Sequence, residues 1–288
     1  MRERVDLHVH STYSDGIFSP EELVEMALRK NISAIALADH DSTDGVDTAM
    51  ATGLRLGVEV IPAIELSVTH KQYKDIHLLG YYLDHHDPSL CAKLKDFRAR
   101  RDQRGQAIIS AINDKLIREK RAGITYEETF ALAGGALGRP HIARILLQKG
   151  YARSMEDAFA RYLIPCDVPK QYFAMTEALC MIRKLHGVAV LAHPTTISKD
   201  EKTLQTVISE LVSLGLDGLE VVNNMSNVTE SAFLKKLASD KKLLITGGSD
   251  FHGIESGIEI GSCWGEACIP YEYVESLREL HHSRRKIV

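Results

Sequence analysis

Short runs rich in Val, Ile and Leu alternate along the chain with longer stretches in which apolar residues recur at helical spacing. This is the pattern of strands that cross over through helices in a parallel sheet, so the fold class is read as α/β. Seven strands are expected, at Val5–His8, Ala34–Ala38, Val58–Leu66, Ile76–Tyr82, Val188–Ala192, Gly218–Val222 and Leu243–Thr246. Between the first two, Ser19-Pro20-Glu21-Glu22 supplies an N-cap, a proline at the first helical position and a glutamate three residues after the cap. A helix should start there and run to about Lys30. Residues 91–170 lack strand-like alternation and read as helices, one from about Pro88 to Arg121 and shorter ones near Tyr126–Leu132, Pro140–Lys149 and Ser154–Tyr162, punctuated by Gly134-Gly135 and Gly138. Between the fourth and fifth strands of a barrel such a piece is an insertion. The barrel would then be discontinuous, built from residues 1–90 and 171–288, with its rim overhung by the helical insert at 91–170.

Composition narrows the class. The 288 residues are 44% apolar and 26% charged. No apolar run approaches the roughly 18–20 residues of a membrane span, so no membrane partner is expected. The start, Met1-Arg2-Glu3-Arg4-Val5-Asp6, lacks the apolar stretch of a signal peptide, and a cytoplasmic address is expected. The five cysteines (Cys91, Cys166, Cys180, Cys263, Cys268) are scattered with no CxxC pair, which argues against a disulfide framework or a thiolate zinc site. A net charge of −4 conceals an asymmetry: residues 91–170 carry 16 Lys and Arg against 9 Asp and Glu, the flanks 19 against 30. The basic piece is either a module facing an anionic partner or a solvated helical surface.

The chemistry gathers at the strand ends. His8-Val9-His10 follows the first strand, with Asp15 shortly after, and Asp39-His40-Asp41 follows the second. The third strand ends in Glu65, His77 lies on the fourth, His193-Pro194 follows the fifth, Asn223-Asn224 the sixth, and Ser249-Asp250-Phe251-His252 the seventh. In a parallel α/β barrel these ends meet on one rim, so His8, His10, Asp15, His40, Glu65, His77, His193, Asp250 and His252 converge. Converging imidazoles and carboxylates make a metal site. His70, His85, His86, His186, His281 and His282 fall in expected turns, helices or the C-terminal tail and are read as ordinary surface or hydrogen-bonded histidines. No GxSxG elbow, GxxxxGK[ST] loop or recognisable Cys/His pair supports a competing mechanism.

These residues carry a resemblance to the polymerase and histidinol phosphatase (PHP) family of metal-dependent phosphoesterases. Asp6-Leu7-His8-Val9-His10-Ser11 with Asp15-Gly16 resembles its first motif, and Ala38-Asp39-His40-Asp41 with Asp44-Gly45 its second. Glu65 and His77 resemble the third, His193-Pro194 the fourth, and Gly248-Ser249-Asp250-Phe251-His252 the last. The resemblance implies a distorted (β/α)7 barrel and three divalent metal ions. One ion is implied on His8, His10, Glu65 and Asp250, a second on Glu65, His77 and His193, and a third on Asp15, His40 and His252. Mixed imidazole and carboxylate ligands suit Mn²⁺, Zn²⁺ or Fe²⁺ better than Mg²⁺ or Ca²⁺, with Mn²⁺ the first choice. Such ions activate a water for in-line attack on a phosphoester, with no nucleophilic side chain required. Asp41, next to His40, either shuttles a proton or orients that water, or caps the following helix, with the structural role favoured.

The insert speaks to the substrate. Gly138-Arg139-Pro140-His141-Ile142-Ala143-Arg144 opens an expected helix, whose N-terminus favours an anion and whose arginines can fork a phosphate. The run resembles the GRPHIA segment of a PHP subgroup that includes nucleoside 3′,5′-bisphosphate phosphatases and related 5′-to-3′ exonucleases. By that resemblance Arg139 and Arg144 hold the phosphate that is not cleaved, with His141 as helper and Asn224 as a further substrate contact; otherwise Arg144 is a surface residue paired with a carboxylate. Of Arg98, Arg100, Arg101 and Arg104 most should be solvated, with a subset tracking a nucleic-acid backbone. The leading reading is a metal-dependent phosphatase removing the 3′-phosphate of a nucleoside 3′,5′-bisphosphate, pAp to AMP. Its alternatives are a 5′-to-3′ exonuclease acting on short 5′-phosphorylated RNA or DNA and, from another class, a non-catalytic nucleotide-binding module.

Overall fold

The protein is described by a computed structural model over residues 4–133, 137–254, 257–262 and 269–286. Gly134-Gly135, Cys263 and Cys268 lie outside the described residues. In chain order the strands are β1 (Val5–Val9), β2 (Ala34–Leu37), β3 (Glu59–His70), β4 (Tyr73–Tyr81), β5 (Phe173–Ala174), β6 (Val188–Leu191), β7 (Gly218–Val222) and β8 (Leu244–Gly247). The helices are α1 (Pro20–Arg29), α2 (Val46–Leu56), α3 (Pro88–Arg118), α4 (Tyr126–Phe130), α5 (Arg139–Gln148), α6 (Met155–Ala158), α7 (Met175–Lys184), α8 (Glu201–Ser213), α9 (Val228–Lys241) and α10 (Glu272–Arg285). None of them is long and apolar enough to cross a membrane.

The fold is α/β with a mostly parallel sheet, hydrogen-bonded in the order β1-β2-β3-β4-β6-β7-β8. Both faces are buried, which is why its strands read as continuous apolar runs. Along β6 and its end the alternation is direct. Val188, Val190 and Ala192 pack with Val5, Ala36 and Tyr81 in one cluster, while Ala189 and Leu191 pack with Leu179, Ile208 and Leu219 in another. The first helix begins as expected: the Ser19 hydroxyl accepts from the Glu22 amide, and the Glu22 carboxylate accepts from the Ser19 amide.

Two expectations are corrected. First, β4 is antiparallel to both β3 and β6. Only Lys71 and Gln72 separate it from β3, a hairpin connection that cannot hold the crossover a parallel pair needs. Second, β3 does not end at Glu65 but runs on to His70, where the two-residue β5 pairs with it. The strand ladder itself does not close among the described residues. Its two edges are instead drawn together by a single bridge, Val9 to Phe251, and by hydrogen bonds from the Val5 amide to the Ile269 carbonyl and the His10 amide to the Phe251 carbonyl, both 3.0 Å.

The helices between β4 and β5 gather around Ile108, Ile112, Leu116, Ile142, Leu146 and Tyr162. The long helix α3 joins this cluster to the sheet. Its first turns place Leu90 and Leu94 in the core over β3, β4 and β6, while Ile108 to Leu116 belong to the helical cluster. Its middle, carrying Arg98, Arg100, Arg101 and Arg104, is therefore suspended above the strand ends. The expected last helix of this piece is interrupted: after α6 the backbone widens to a π-helical turn, Phe159–Leu163, a local form that recurs at functional sites.

Candidate metal centre

Glu65 is the hub. It is fully buried, and its Oε1 lies 3.0 Å from His77 Nδ1, 3.2 Å from His193 Nε2 and 3.3 Å from His8 Nε2. Its Oε2 lies 2.9 Å from His40 Nδ1 and 3.3 Å from His10 Nε2. Asp250 Oδ1 sits 3.1 Å from His10 Nε2 and 3.4 Å from His8 Nε2. On the other flank Asp15 Oδ1 lies 3.3 Å from His252 Nε2, with His40 Nε2 3.8 Å from Asp15 Oδ2. All nine residues singled out in the sequence meet here.

Local backbone conformation explains how strand ends deliver so many candidate ligands. Asp41 (φ 52°), His193 (φ 26°) and Asp250 (φ 54°) adopt positive φ, which redirects the chain as it leaves β2, β6 and β8. Such conformations cost of order 1–3 kcal/mol each in non-glycine residues and cluster at sites where geometry matters more than stability. Around them stand hydrogen-bonding carboxylates. Asp39 accepts from the Ser11 amide (2.8 Å) and the Ser11 and Ser14 hydroxyls (both 2.6 Å), holding the loop after β1; Asp6 accepts from the Ser249 amide (2.9 Å) and hydroxyl (2.5 Å), holding the loop after β8.

The donor set fits divalent cations. His8 Nε2, His10 Nε2, Asp15 Oδ1, His40 Nδ1, Glu65 Oε2, His77 Nε2 and Asp250 Oδ1 are buried and have no hydrogen-bond partner among the described residues. Seven orphaned donors and acceptors in one place are costly unless a cation takes their lone pairs. Three sets lie within metal-binding reach: His8, His10, Glu65 and Asp250; His10, Asp15, His40 and His252; and His40, Glu65 and His77. The first matches the set implied by the resemblance, the second adds His10 to the implied one, and His193 Nε2 lies 3.2 Å from His77 Nδ1 beside the third.

Carboxylates and imidazoles act strongly on one another here: burial pulls the His77 and His252 rings down, but Glu65 and Asp15 outweigh it and hold them up at about 9 and about 10. Burial pushes the Glu65 carboxyl up, but the imidazoles of His77, His8 and His40 outweigh it and hold the group well below the usual carboxylate range. Burial likewise opposes ionisation of Asp15 and Asp250, and neighbouring imidazoles again win. The His40 ring, by contrast, is pulled down by burial to about 4, so it is neutral and available as a ligand at neutral pH.

Sequence reasoning missed Glu220. It lies in β7, fully buried; its Oε1 accepts from His8 Nδ1 at 2.9 Å and its Oε2 from the His193 amide at 2.7 Å. That first bond fixes the His8 tautomer and turns its Nε2 lone pair toward Glu65 and Asp250. A signal was present, because Gly-Leu-Glu-Val-Val carries a charge in an otherwise apolar strand, and a buried charge requires a partner. Glu220→Gln should therefore weaken metal affinity by about 10–100-fold, the usual effect of removing such a support. A metal titration of the stripped protein measures this, and an unchanged affinity would remove Glu220 from the site.

Asp41 does not cap a helix. The residue capping α2 is Gly45, whereas Asp41 is buried and its Oδ1 accepts from the Ser67 amide at 2.9 Å. It lines a cavity of about 450 Å³ that opens from Asp15, His40 and His77 toward Arg100, Arg101, Arg104, Arg139 and Lys170, with Phe97 and Phe159 among its apolar walls. Arg101 reaches closest to the cluster, its Nη2 3.9 Å from Asp15 Oδ2. Arg139 stacks over Phe159 at 5.7 Å and lies 3.7 Å from Asp167. Arg144 and Asn224 are not among the residues lining this cavity. Asn224 Nδ2 donates to the Ser249 carbonyl at 2.6 Å. The buried His141 accepts the Gly138 amide through Nδ1 at 3.0 Å, which starts α5, and burial lowers its pKa to about 4.

Comparison with known proteins places this geometry. Residues 6–165 match the PHP domain family. The chain is 34% identical over 266 residues to a 5′-3′ exoribonuclease of Haemophilus influenzae, covering 91% of this chain and 94% of that protein. It is 28% identical over 265 residues to a 3′,5′-nucleoside bisphosphate phosphatase of Chromobacterium violaceum, covering 89% and 90%. A Bifidobacterium adolescentis protein assigned as a metal-dependent phosphoesterase superposes with a TM-score of 0.83 at 26% identity, covering 97% of each chain.

Proposed function

The chain belongs to the PHP domain family and is a phosphoester hydrolase, and from that premise we propose that it removes the 3′-phosphate of a nucleoside 3′,5′-bisphosphate, pAp to AMP. The observation that carries this reading is the cavity, which at about 450 Å³ has the size of a small-molecule site and carries imidazoles and carboxylates at one end and guanidinium groups at the other. A substrate with two phosphates suits such a polarity, one group at the cluster and one among the arginines. His8, His10, Glu65 and Asp250, then Glu65, His77 and His193, then Asp15, His40 and His252 are the residues proposed to hold three divalent ions, with Mn²⁺ the first choice. When bound, such ions make a nucleophile of water at neutral pH and neutralise phosphoryl oxygens.

The chain's own residues do the rest. Glu220 orients His8, and Asp41, at the cavity wall beside His40, orients water. Arg139 grips the phosphate that stays, supported by Arg144 and His141 on the same helix. Binding energy from that remote group positions the reacting one, so its loss costs kcat as well as affinity. The fold is read as the distorted barrel of this family, from residues 1–90 and 171–288, with residues 91–170 as the helical insert that roofs the site.

Arg139→Ala should lower kcat/KM on the bisphosphate by about 10–100-fold, since a charge-assisted hydrogen bond contributes about 1.5–3 kcal/mol. Arg144→Ala, away from the cavity lining, should cost less. Unchanged kinetics for Arg139→Ala would overturn the phosphate clamp. The substrate itself is tested by phosphate release from pAp, AMP, 3′-AMP and a 5′-phosphorylated trinucleotide with Mn²⁺-loaded protein. Preference for pAp with AMP as product supports the proposal; mononucleotides released mainly from the trinucleotide support the second reading, a 5′-to-3′ exonuclease, which the similarity to the H. influenzae exoribonuclease favours.

A further inference from the structure

Away from the centre just described, a second group of metal-ligating side chains stands where α2 meets the start of α3. We propose that Asp47, His85 and His86 form a separate site for one divalent transition-metal ion of the Zn²⁺ type, and that the ion ties the beginning of α3 to α2. His85 Nε2 and His86 Nε2 both point at Asp47 Oδ1, at 2.9 and 3.3 Å, and the three ligand atoms lie within 4.8 Å of one another. Adjacent histidines in an extended segment would diverge; here the rings lie 4.1 Å apart at 37° and converge on one oxygen.

The loop holds them there. The His86 amide donates to Asp84 Oδ1 at 3.1 Å, Asp87 accepts from the Leu90 amide at 2.8 Å to cap α3, and the Cys91 thiol donates to the His85 carbonyl at 3.4 Å. These contacts fix the backbone that carries both imidazoles, which reduces the ordering cost of binding. Two imidazoles and one carboxylate suit Zn²⁺, Cu²⁺ or Ni²⁺ and not the oxygen-seeking Mg²⁺ or Ca²⁺. With Asp47 and His86 about two-thirds exposed, at 66% and 68%, water completes the coordination. The position has a consequence for the cavity, because α3 carries Arg98, Arg101 and Arg104, and Arg98 pairs with Asp44 just before α2. A metal at its first turn would hold that arginine-bearing helix in place. Without a metal the same atoms make exposed ion pairs of little energetic value.

The test is a count of bound metal. Chelator-stripped full-length protein is dialysed against Zn²⁺ alone, buffered in the low micromolar range, and its zinc measured by mass spectrometry for wild type, Asp47→Asn and His85→Asn/His86→Asn. Each variant should bind one equivalent fewer than wild type, and the same one-equivalent difference should persist in a Glu65→Gln background. That background separates this site from the main cluster, whose own failure to hold metal would leave the difference intact. Equal zinc in wild type and both variants would overturn the proposal, as would a difference that disappears in the Glu65→Gln background.

Discussion

Glu65→Gln is expected to reduce kcat/KM by on the order of 10³-fold while the protein remains folded, because metal-centred charge stabilisation supplies several kcal/mol and ~4 kcal/mol corresponds to about three powers of ten in rate. No other side chain touches so much of the cluster: its two oxygens lie within 3.3 Å of His8, His10, His40, His77 and His193. Glutamine keeps the shape and one oxygen but loses the negative charge, and its NH₂ group cannot ligate a cation and would instead donate to the imidazole lone pairs that a cation needs. Circular dichroism of the variant should match wild type, while its metal content at a fixed free concentration should fall. A loss of less than tenfold at saturating metal would show that Glu65 is a packed carboxylate and not the hub of the reaction site.

Gly248→Ala should be strongly damaging. A Cβ at this position would sit 2.2 Å from His8 Cβ and 2.6 Å from the His8 amide nitrogen. Neither atom can retreat, since β1 is held by its ladder to β2 and His8 is held by Glu220. Overpacking of this kind costs typically 1–3 kcal/mol or more, and at 2–4 °C per kcal/mol a melting temperature lower by roughly 2–12 °C is expected. Activity should fall further than stability, because the residue that moves, His8, and Asp250, two positions on from Gly248, are both proposed metal ligands. Thermal unfolding of the stripped protein gives the first quantity and kcat/KM at saturating metal the second. A variant with wild-type stability would mean that β1 and the β8 end separate more readily than their contacts imply.

Much of the molecule was legible in one dimension. The capped start of α1, six of the strands to within a few residues and the nine converging side chains all followed from local pattern and spacing. What failed, failed for identifiable reasons. The direction of β4 was available in the spacing, since the gap after Glu65 leaves no room for a crossover helix, but an apolar run looks the same in either direction. The extension of β3 to His70 depended on the hairpin with β4 and on Phe173, more than a hundred residues away, and no local signal records such a partner. Helix propensity drew one helix through Ser154–Tyr162, whereas packing of Tyr162 and Leu163 into the helical cluster accompanies a π-helical turn instead. Sequence proximity to α2 makes Asp41 look like a helix cap; in space its partner is the Ser67 amide.

The sequence by itself determined which imidazoles and carboxylates are available to the site and the alternation of strands and helices, because residue type, a two- or 3.6-residue period and turn chemistry are properties of neighbours along the chain. Only the tertiary structure decided which carboxylate supports which imidazole, and which arginines face the cluster. His8 meets Glu220 across 212 positions, and Arg101, one of several arginines that a helical wheel scatters in all directions, is the one brought within 3.9 Å of Asp15. Those pairings depend on strand order, on the antiparallel turn of β4 and on α3 spanning two cores, and such long-range packing leaves no periodic trace in the order of residues.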